Sequence, residues 1–415
     1  MGARRFSYSV IRGLALFAVL ALLVGGVRPG STAVVYSFGG GPDGEYPSTD
    51  LVLDNAGVLY GTSVLGGQFG SGTVFQLTPS GDGWTHTVLY SFTSGADGAQ
   101  PYGGVTLDPQ GNLYGSAVAG GSSVGSCADG GCGVVYKLTP SSDGWTQTVI
   151  HAFTGGKDGS GPGGALTIDK HGNLFGMAPT GGAFGLGVIY QLRPDHSGNY
   201  VFRVIHAFTG GRDGERASAG RLLLDDAGNL YGVSTVGGAH EKGTAFELTR
   251  APGEKWKFTT LYAFKGQPDA GFPYGGLIFD ASGNLYGTTY YDGANNLGSV
   301  YQLARNPAGG WKERVLYSFA GGHDGSNSIS TLVLDQVGNL LGTTSEGGTS
   351  GLGTIFKLTH GSGTWTESVE YAFSGSPDGA YAYNGMVADA AGNFYGATVR
   401  GGTDDGDGTI YTFTP

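Results

Sequence analysis

Short runs of alternating apolar and polar residues recur along the chain. TVFQLT (73–78), TIFKLT (354–359) and TIYTFT (409–414) are three of them. A period of two marks a β-strand with one buried face. The centre of this run is aromatic in every copy: Phe75, Tyr136, Tyr190, Phe246, Tyr301, Phe356 and Tyr411. A longer side chain usually follows it: Gln76, Lys137, Gln191, Glu247, Gln302 and Lys357, with Thr412 in the last copy. We name this piece C. Three further strand-like pieces accompany it. Piece A is a short apolar run, as in LVL (51–53), LTI (166–168) and LIF (277–279). Piece B is the NLYG segment, which continues into small residues. Piece D runs from an aromatic residue to a Phe eight positions later, as in Trp84–Phe92, Tyr200–Phe208 and Trp365–Phe373; all five Trp residues start this piece.

Between A and B lies DPQGNLYG (108–115), with copies whose Asp stands at 54, 108, 169, 225, 280, 335 and 389. The intervals are 54, 61, 56, 55, 55 and 54 residues. The long one contains the insertion SSVGSCADGGC (122–132). Repeats of this length with four short antiparallel strands predict an all-β fold, a seven-bladed β-propeller. A β-solenoid is the competing reading, but its coils are usually shorter and carry fewer bulky alternating aromatics. The ends sharpen the choice. The seventh unit stops after its C piece at 409–415, and an unattached D piece, VVYSF (34–38), precedes the first unit. Placing strand 34–38 in the last blade closes the ring and leaves no open edge there. The expected organisation is a signal peptide over 1–33 and a single propeller domain over 34–415.

Composition supports this organisation. Of 415 residues, 83 are Gly, yet 39% are hydrophobic and 12% aromatic, enough for a core. The glycines then serve turns that need positive φ. Arg4, Arg5 and Arg12 precede the apolar run 13–27, and Ser31 and Ala33 offer small residues at a cleavage site. That is the layout of a secretory signal peptide, although an uncleaved anchor has similar features. Residues 1–33 hold four Arg and no acid, so the remainder carries 18 basic against 33 acidic groups, a net −15. Such a balance argues against nucleic acid and anionic membrane surfaces as partners. No later stretch is long and apolar enough to insert in a membrane, and the mature chain is expected to be a secreted, periplasmic or cell-surface monomer. Cys127 and Cys132 lie in one Gly-rich loop and lack companions for a metal site. In an exported protein they are expected to form a disulfide.

The succession of NLYGTT, GG, GTVFQLTP and LYSF segments resembles the GloVer-type tandem-repeat family of bacterial exported proteins, over about residues 34–415. The resemblance implies a secreted or surface repeat protein. It supplies no catalytic residues.

Candidate chemistry must be weighed against the turns that the fold requires. D-x-x-G suits a tight A–B hairpin, in which Asp accepts backbone N–H groups and Gly takes the left-handed conformation. One Asp and one Asn are too few for a calcium loop. A second sevenfold Asp (43, 97, 158, 213, 269, 324, 378) falls in the D–A crossovers, as a turn residue or as a ring of carboxylates. B–C and D–A loops share one end of a propeller, and a ligand site there must break the sevenfold sameness. Repeat 5 does so with Tyr290, Tyr291 and Asp292, followed by Asn295 and Asn296. Aromatic planes beside a carboxylate and amides suit carbohydrate. Repeat 7 has Asp404, Asp405 and Asp407, which could hold calcium, though the full EF-hand spacing is absent. Repeat 4 has His240, Glu241 and Lys242, read as a solvated loop, and His151 and His206 replace a D-strand Tyr as packing residues. There is no nucleophile elbow and no phosphate-binding Gly loop. The expectation is a non-catalytic binding or interaction module for an extracellular glycan or protein that requires no cofactor. A polysaccharide lyase or hydrolase, or a structural envelope protein, are the alternatives.

Overall fold

The structure is a computed structural model, which describes residues 30–415 apart from 82, 123–126, 128–129, 218–219, 254, 362 and 404–405. Seven small antiparallel sheets form a β-propeller, each running A-B-C-D in sheet order. In blade 1 the strands are Val52–Leu53, Leu59–Ser63, Thr73–Ser80 and Gly83–Ser91. The last blade takes Val387–Ala388, Phe394–Thr398 and Thr409–Thr414 from the C-terminus and Ser31–Ser37 from the N-terminus. The N-terminal strand thus closes the ring, as its sequence indicates. It starts at Ser31, three residues before the expected 34, because Ser31, Thr32 and Ala33 keep pairing with Thr414, Phe413 and Thr412.

Blade 5 departs from four strands. Its B strand extends over Leu285–Asp292, and the crossover segment Ala270–Pro273 pairs with it as a fifth strand. In the other blades the corresponding contact is a single bridge, such as Glu45↔Leu65 in blade 1 or Ser326↔Glu346 in blade 6. Tyr290 and Tyr291 stand where blade 1 has Val64 and Leu65, and Asp292 replaces Gly66 while keeping a left-handed φ, 61° against 72°.

The core lies between blades and within them. Every C-strand aromatic is fully or almost fully buried, and its ring covers the Gly of NLYG on strand B. A Cβ on Gly176 would stand 2.3 Å from the Tyr190 hydroxyl, and one on Gly61 would stand 2.7 Å from the Phe75 ring. That Gly is therefore required by close approach of a ring. The aromatic that opens the D strand in blades 1 to 6 braces the blade before it, as with Trp84 against Tyr395, Trp256 against Phe175 and Trp365 against Tyr286.

A second polar junction joins consecutive blades. Each D strand carries a Tyr or His seven residues before the crossover Asp. Tyr36 donates to Asp43 at 2.6 Å, Tyr90 to Asp97 at 2.9 Å and Tyr317 to Asp324 at 3.0 Å. His151 and His206 contact Asp158 and Asp213 instead, at 3.3 and 3.1 Å. The facing D-strand residue of the next blade changes in step. Behind the two histidines it is Phe202 or Phe258, stacked at 3.8 and 3.9 Å between ring centroids. Behind the tyrosines it is His86, Gln147, Glu313, Glu367 or, across the closure, Thr32. The histidines are thus packing residues, as their sequence context indicates. The same Asp accepts the backbone N–H after the D-strand Phe, from Gly39, Thr93, Thr154, Thr209, Ala320 or Ser374. This Asp turns the crossover and ties it to the blade.

Glu313 and Glu367 give these junctions a pH dependence. Each has an oxygen buried without a hydrogen-bond partner. Burial first, then the charge of Asp269 or Asp324, pushes each carboxyl up to about 7 from an ordinary 4.5. A carboxyl raised in the folded state stabilises fully below its unfolded value and loses that contribution as pH rises to the folded value. The window is therefore 4.5 to 7. The Glu313→Gln/Glu367→Gln double variant is expected to melt higher than the parent at pH 8 and level with it at pH 4.5. Parallel thermal melts across this range check it; a double variant that melts lower at pH 8 would refute the assignment.

Candidate binding face at the mouth of the channel

The repeated hairpin motif has no valence to spare for a ligand. In blade 2, Asp108 Oδ1 accepts the N–H groups of Gln110 and Asn112, at 2.9 and 2.8 Å. Its Oδ2 accepts Asn112 Nδ2 at 2.8 Å and the Tyr114 hydroxyl at 3.0 Å. The arrangement recurs around the ring; in blade 1 Val58 replaces the Asn and Asp54 keeps three partners, while two other exceptions are compensated. Blades 3 and 6 have Phe175 and Leu341 in place of the Tyr. There Arg250 and Lys357 reach Asp169 and Asp335 instead, at 3.2 and 3.4 Å. The motif is a saturated hairpin at the end of the propeller away from the longer loops.

The opposite end carries the variation. Three residues after each crossover Asp the backbone enters the left-handed region. The seven residues there are Tyr46, Gln100, Gly161, Arg216, Phe272, Asn327 and Tyr381, with φ from 53 to 68°. Six are not glycine, and three are bulky aromatics, for which this conformation costs of order 1–3 kcal/mol. Two positions further on stand Ser48, Tyr102, Gly163, Tyr274, Ile329 and Tyr383 in the described blades. The fold repeats sevenfold here, but the side chains do not. Aromatics gather on the arc of blades 7, 1 and 2 and face blade 5, while blade 3 presents two glycines.

These residues line two adjoining hollows at the channel mouth, each of about 360 Å³. One is walled by Tyr46, Tyr381 and Arg400; the Arg400 guanidinium lies 4.1 Å from the centre of the Tyr46 ring and donates to a tyrosine hydroxyl. The other is walled by Tyr102, Tyr274 and Tyr383 and floored by Ser48, Asp50 and Asn384. Tyr102, Tyr383 and Ser48 belong to both. Tyr381 and Tyr383 lie 6.5 Å apart with their planes tilted by 30°. Burial, followed by the neighbouring Tyr291, Glu346 and Tyr383, raises the Tyr290 phenol above its ordinary value.

The residues singled out in the sequence divide between this face and the scaffold behind it. Tyr290 stands 6.4 Å from Tyr274 and 4.5 Å from Tyr291, so it backs the cup wall. Tyr291 is 45% exposed and rests edge-on against Phe272. Asp292 turns inward, 3% exposed, and pairs with Lys242 at 3.2 Å. Lys242 in turn lies 4.4 Å from the centre of the Phe272 ring, which ties the repeat 4 loop to blade 5. Asn296 accepts the Asp292 N–H, and Asn295 donates to the Phe319 carbonyl, so both amides hold the loop. Cys127 and Cys132 are joined as a disulfide and packed in the core between blades 2 and 3. Asp404 and Asp405 lie outside the described residues, while Asp407 is buried and its carbonyl accepts the Tyr46 N–H. Among the described residues no cluster of three or more His, Cys, Asp or Glu could hold a metal ion.

Tyr46, Tyr102, Tyr274, Tyr381, Tyr383 and Asp50 escaped the sequence reading. They sit in crossovers without strand periodicity. Their signal was a fixed offset from the second Asp at which residue type changes from blade to blade.

The repeat family described as the Gloeobacter/Verrucomicrobia repeat matches residues 26–127, 119–310 and 257–415. The chain belongs to this family. The resemblance seen in its repeated segments is thereby established over nearly the whole chain. No curated protein matches it. Among solved structures, a 6-phosphogluconolactonase candidate from Bacteroides uniformis is similar at 15% identity and TM-score 0.52, with 81% of this chain and 87% of that one covered. The extracellular domain of a candidate hybrid two-component system from B. thetaiotaomicron is similar at 12% identity and TM-score 0.55. That match covers 91% of this family member but 39% of the other chain. At such identities the likeness is one of fold. Among the described residues no helix is long and apolar enough to cross a membrane.

Proposed function

We propose that this repeat protein is an exported, non-catalytic module that binds an extracellular glycan in the aromatic cup. The observation that carries the reading is the departure from sevenfold symmetry. Tyr46, Tyr102, Tyr274, Tyr381 and Tyr383 converge on one mouth from blades that otherwise repeat. Sugar rings bind by stacking an apolar face on an aromatic plane while their hydroxyls bond to nearby polar groups. Here Asp50, Ser48 and Asn384 supply those groups. Exposed Phe69 and Phe184 in B–C loops, and Tyr291 near the end of the extended B strand of blade 5, give a longer chain further apolar footholds.

Binding is favoured over hydrolysis by the carboxylate content of the cup. A glycosidase ordinarily needs two carboxyl groups flanking the scissile bond. Asp50 is the carboxylate among the residues lining the two hollows. Export rests on the basic and apolar N-terminal layout and on the disulfide between Cys127 and Cys132. A cut after Ala33 would remove three of the six register pairs of the closing strand, so removal upstream of Ser31 suits the ring better.

The test is a screen against neutral and acidic oligosaccharides of defined length, with affinity and chain length both followed. Binding without shortening, weakened about tenfold or more by Tyr274→Ala or Tyr102→Ala, is expected. Shortening of the oligosaccharide, or affinity indifferent to both substitutions, would overturn the proposal.

A further inference from the structure

Two charges stand in the channel at a level where the other blades place small residues. Four positions before the hairpin Asp, the seven blades carry Asp50, Gly104, Ala165, Arg221, Gly276, Thr331 and Gly385. Asp50 faces the cup, and its recorded hydrogen bond is from the Gly385 N–H, at 3.3 Å. A carboxylate has about four lone-pair sites, so most of its acceptor capacity remains for a ligand. Arg221 reaches from blade 4 to the Val105 carbonyl of blade 2, at 3.3 Å, and its Nε is buried without a partner. No direct ion pair joins Asp50 and Arg221, yet each feels the other's charge. Burial raises the Asp50 carboxyl, and Arg221 opposes that rise; burial lowers Arg221, and Asp50 opposes that fall.

The channel is narrowed at this level, and its two charges are opposite in sign. Neighbouring crossovers touch backbone to backbone at this level: a Cβ on Gly103 would stand 2.4 Å from the Gly164 carbonyl carbon, and one on Gly275 would stand 2.3 Å from the Ser330 oxygen. Arg221 crosses from blade 4 to blade 2 at the same level. A floor narrowed in this way favours a chain end over a threaded chain. The two charges offset each other, so neither an acidic nor a cationic ligand gains from the floor, whereas a hydroxyl can donate to Asp50 without altering the balance.

We infer that the cup recognises the end of a neutral glycan chain, with hydroxyls of the terminal sugar bonded to Asp50, Ser48 and Asn384 and its ring held by Tyr102, Tyr274 and Tyr383. This inference rests on the glycan reading above and adds which part of the chain is bound. Arg221 opposes the rise that burial gives the Asp50 carboxyl.

The experiment uses the whole mature protein and linear neutral oligosaccharides. These are coupled to a surface through either end, or offered with the terminal sugar's hydroxyls methylated. Blocking one particular end is expected to abolish binding, and Asp50→Asn to weaken the unblocked ligand about tenfold or more, with far-ultraviolet dichroism unchanged. Methylation acts on the ligand, so it remains decisive even if the Asp50 variant fails to fold. Equal binding whichever end is blocked, with Tyr274→Ala still abolishing it, would overturn chain-end recognition and leave the glycan reading intact. Absence of binding to every oligosaccharide would overturn both.

Discussion

Deleting residues 30–37 yields either no soluble folded protein or a melting temperature lower by about 10 °C or more. The strand Ser31–Ser37 is the outer strand of the last blade, and its ladder to Thr409–Thr414 fastens the two ends of the chain. Its loss exposes a long unpaired edge and uncovers one side of the closing junction. Tyr36 leaves its stack on His86, at 4.4 Å, and its bond to Asp43. Phe38, 1% exposed, loses the strand that aims it at Phe75. Thermal melts of the truncated and intact chains check this result. A variant with the same strand appended after Pro415 through a flexible linker should recover most of the loss. An unchanged melting curve in the truncated chain would mean that the strand does not close the ring.

Gly176→Ala is expected to cost about 3 kcal/mol, although it adds one methyl to a strand. The new carbon would lie 2.3 Å from Tyr190 Oη, 2.5 Å from its Cζ and 2.8 Å from a Leu166 methyl. Tyr190 is wholly buried, so its ring has no free space to enter. The penalty should shrink most in Gly176→Ala/Tyr190→Leu, where the obstructing ring is gone, and less in Gly176→Ala/Tyr190→Phe, where Cζ remains. Urea denaturation of the three variants separates these outcomes. A cost below about 0.5 kcal/mol for the single change would show that strands B and C are not packed this closely.

The fold was legible because each local signal pointed to the same answer. Alternation gave strand C, the fixed Trp-to-Phe spacing gave strand D, and the unmatched pieces at the two ends gave the closure. What stayed hidden was side-chain pairing across blades. The sequence shows Tyr or His ahead of each crossover Asp, but only packing reveals that Phe202 and Phe258 face the histidines while Glu313 and Glu367 face tyrosines. The candidate face was half legible. YYDG drew notice because it interrupts a Gly pair, and its Tyr290 lies 6.4 Å from Tyr274 of the cup wall. Asp292 looked available in the sequence but pairs inward with Lys242, since a loop residue's direction is set by the backbone it turns on. The crossover tyrosines gave no strand-like signal, and Asp50 and Arg221 feel each other's charge only because segments of blades 1 and 4 border one channel.

The account's central claim is that ligand binding lies where the repeat breaks and stability lies where it holds. Two substitutions in blade 5 test it from opposite ends of the same blade. Tyr274 lines the cup, whereas Asn284 donates to Asp280 at 2.7 Å in the saturated hairpin. The measurement is the affinity of Tyr274→Ala and of Asn284→Ala for an oligosaccharide bound by the parent, with the melting temperature of each. Tyr274→Ala should lose about tenfold or more in affinity and keep its melting temperature, and Asn284→Ala should melt lower and bind as the parent does. An Asn284→Ala protein that folds but no longer binds, beside a Tyr274→Ala protein with full affinity, would contradict the claim.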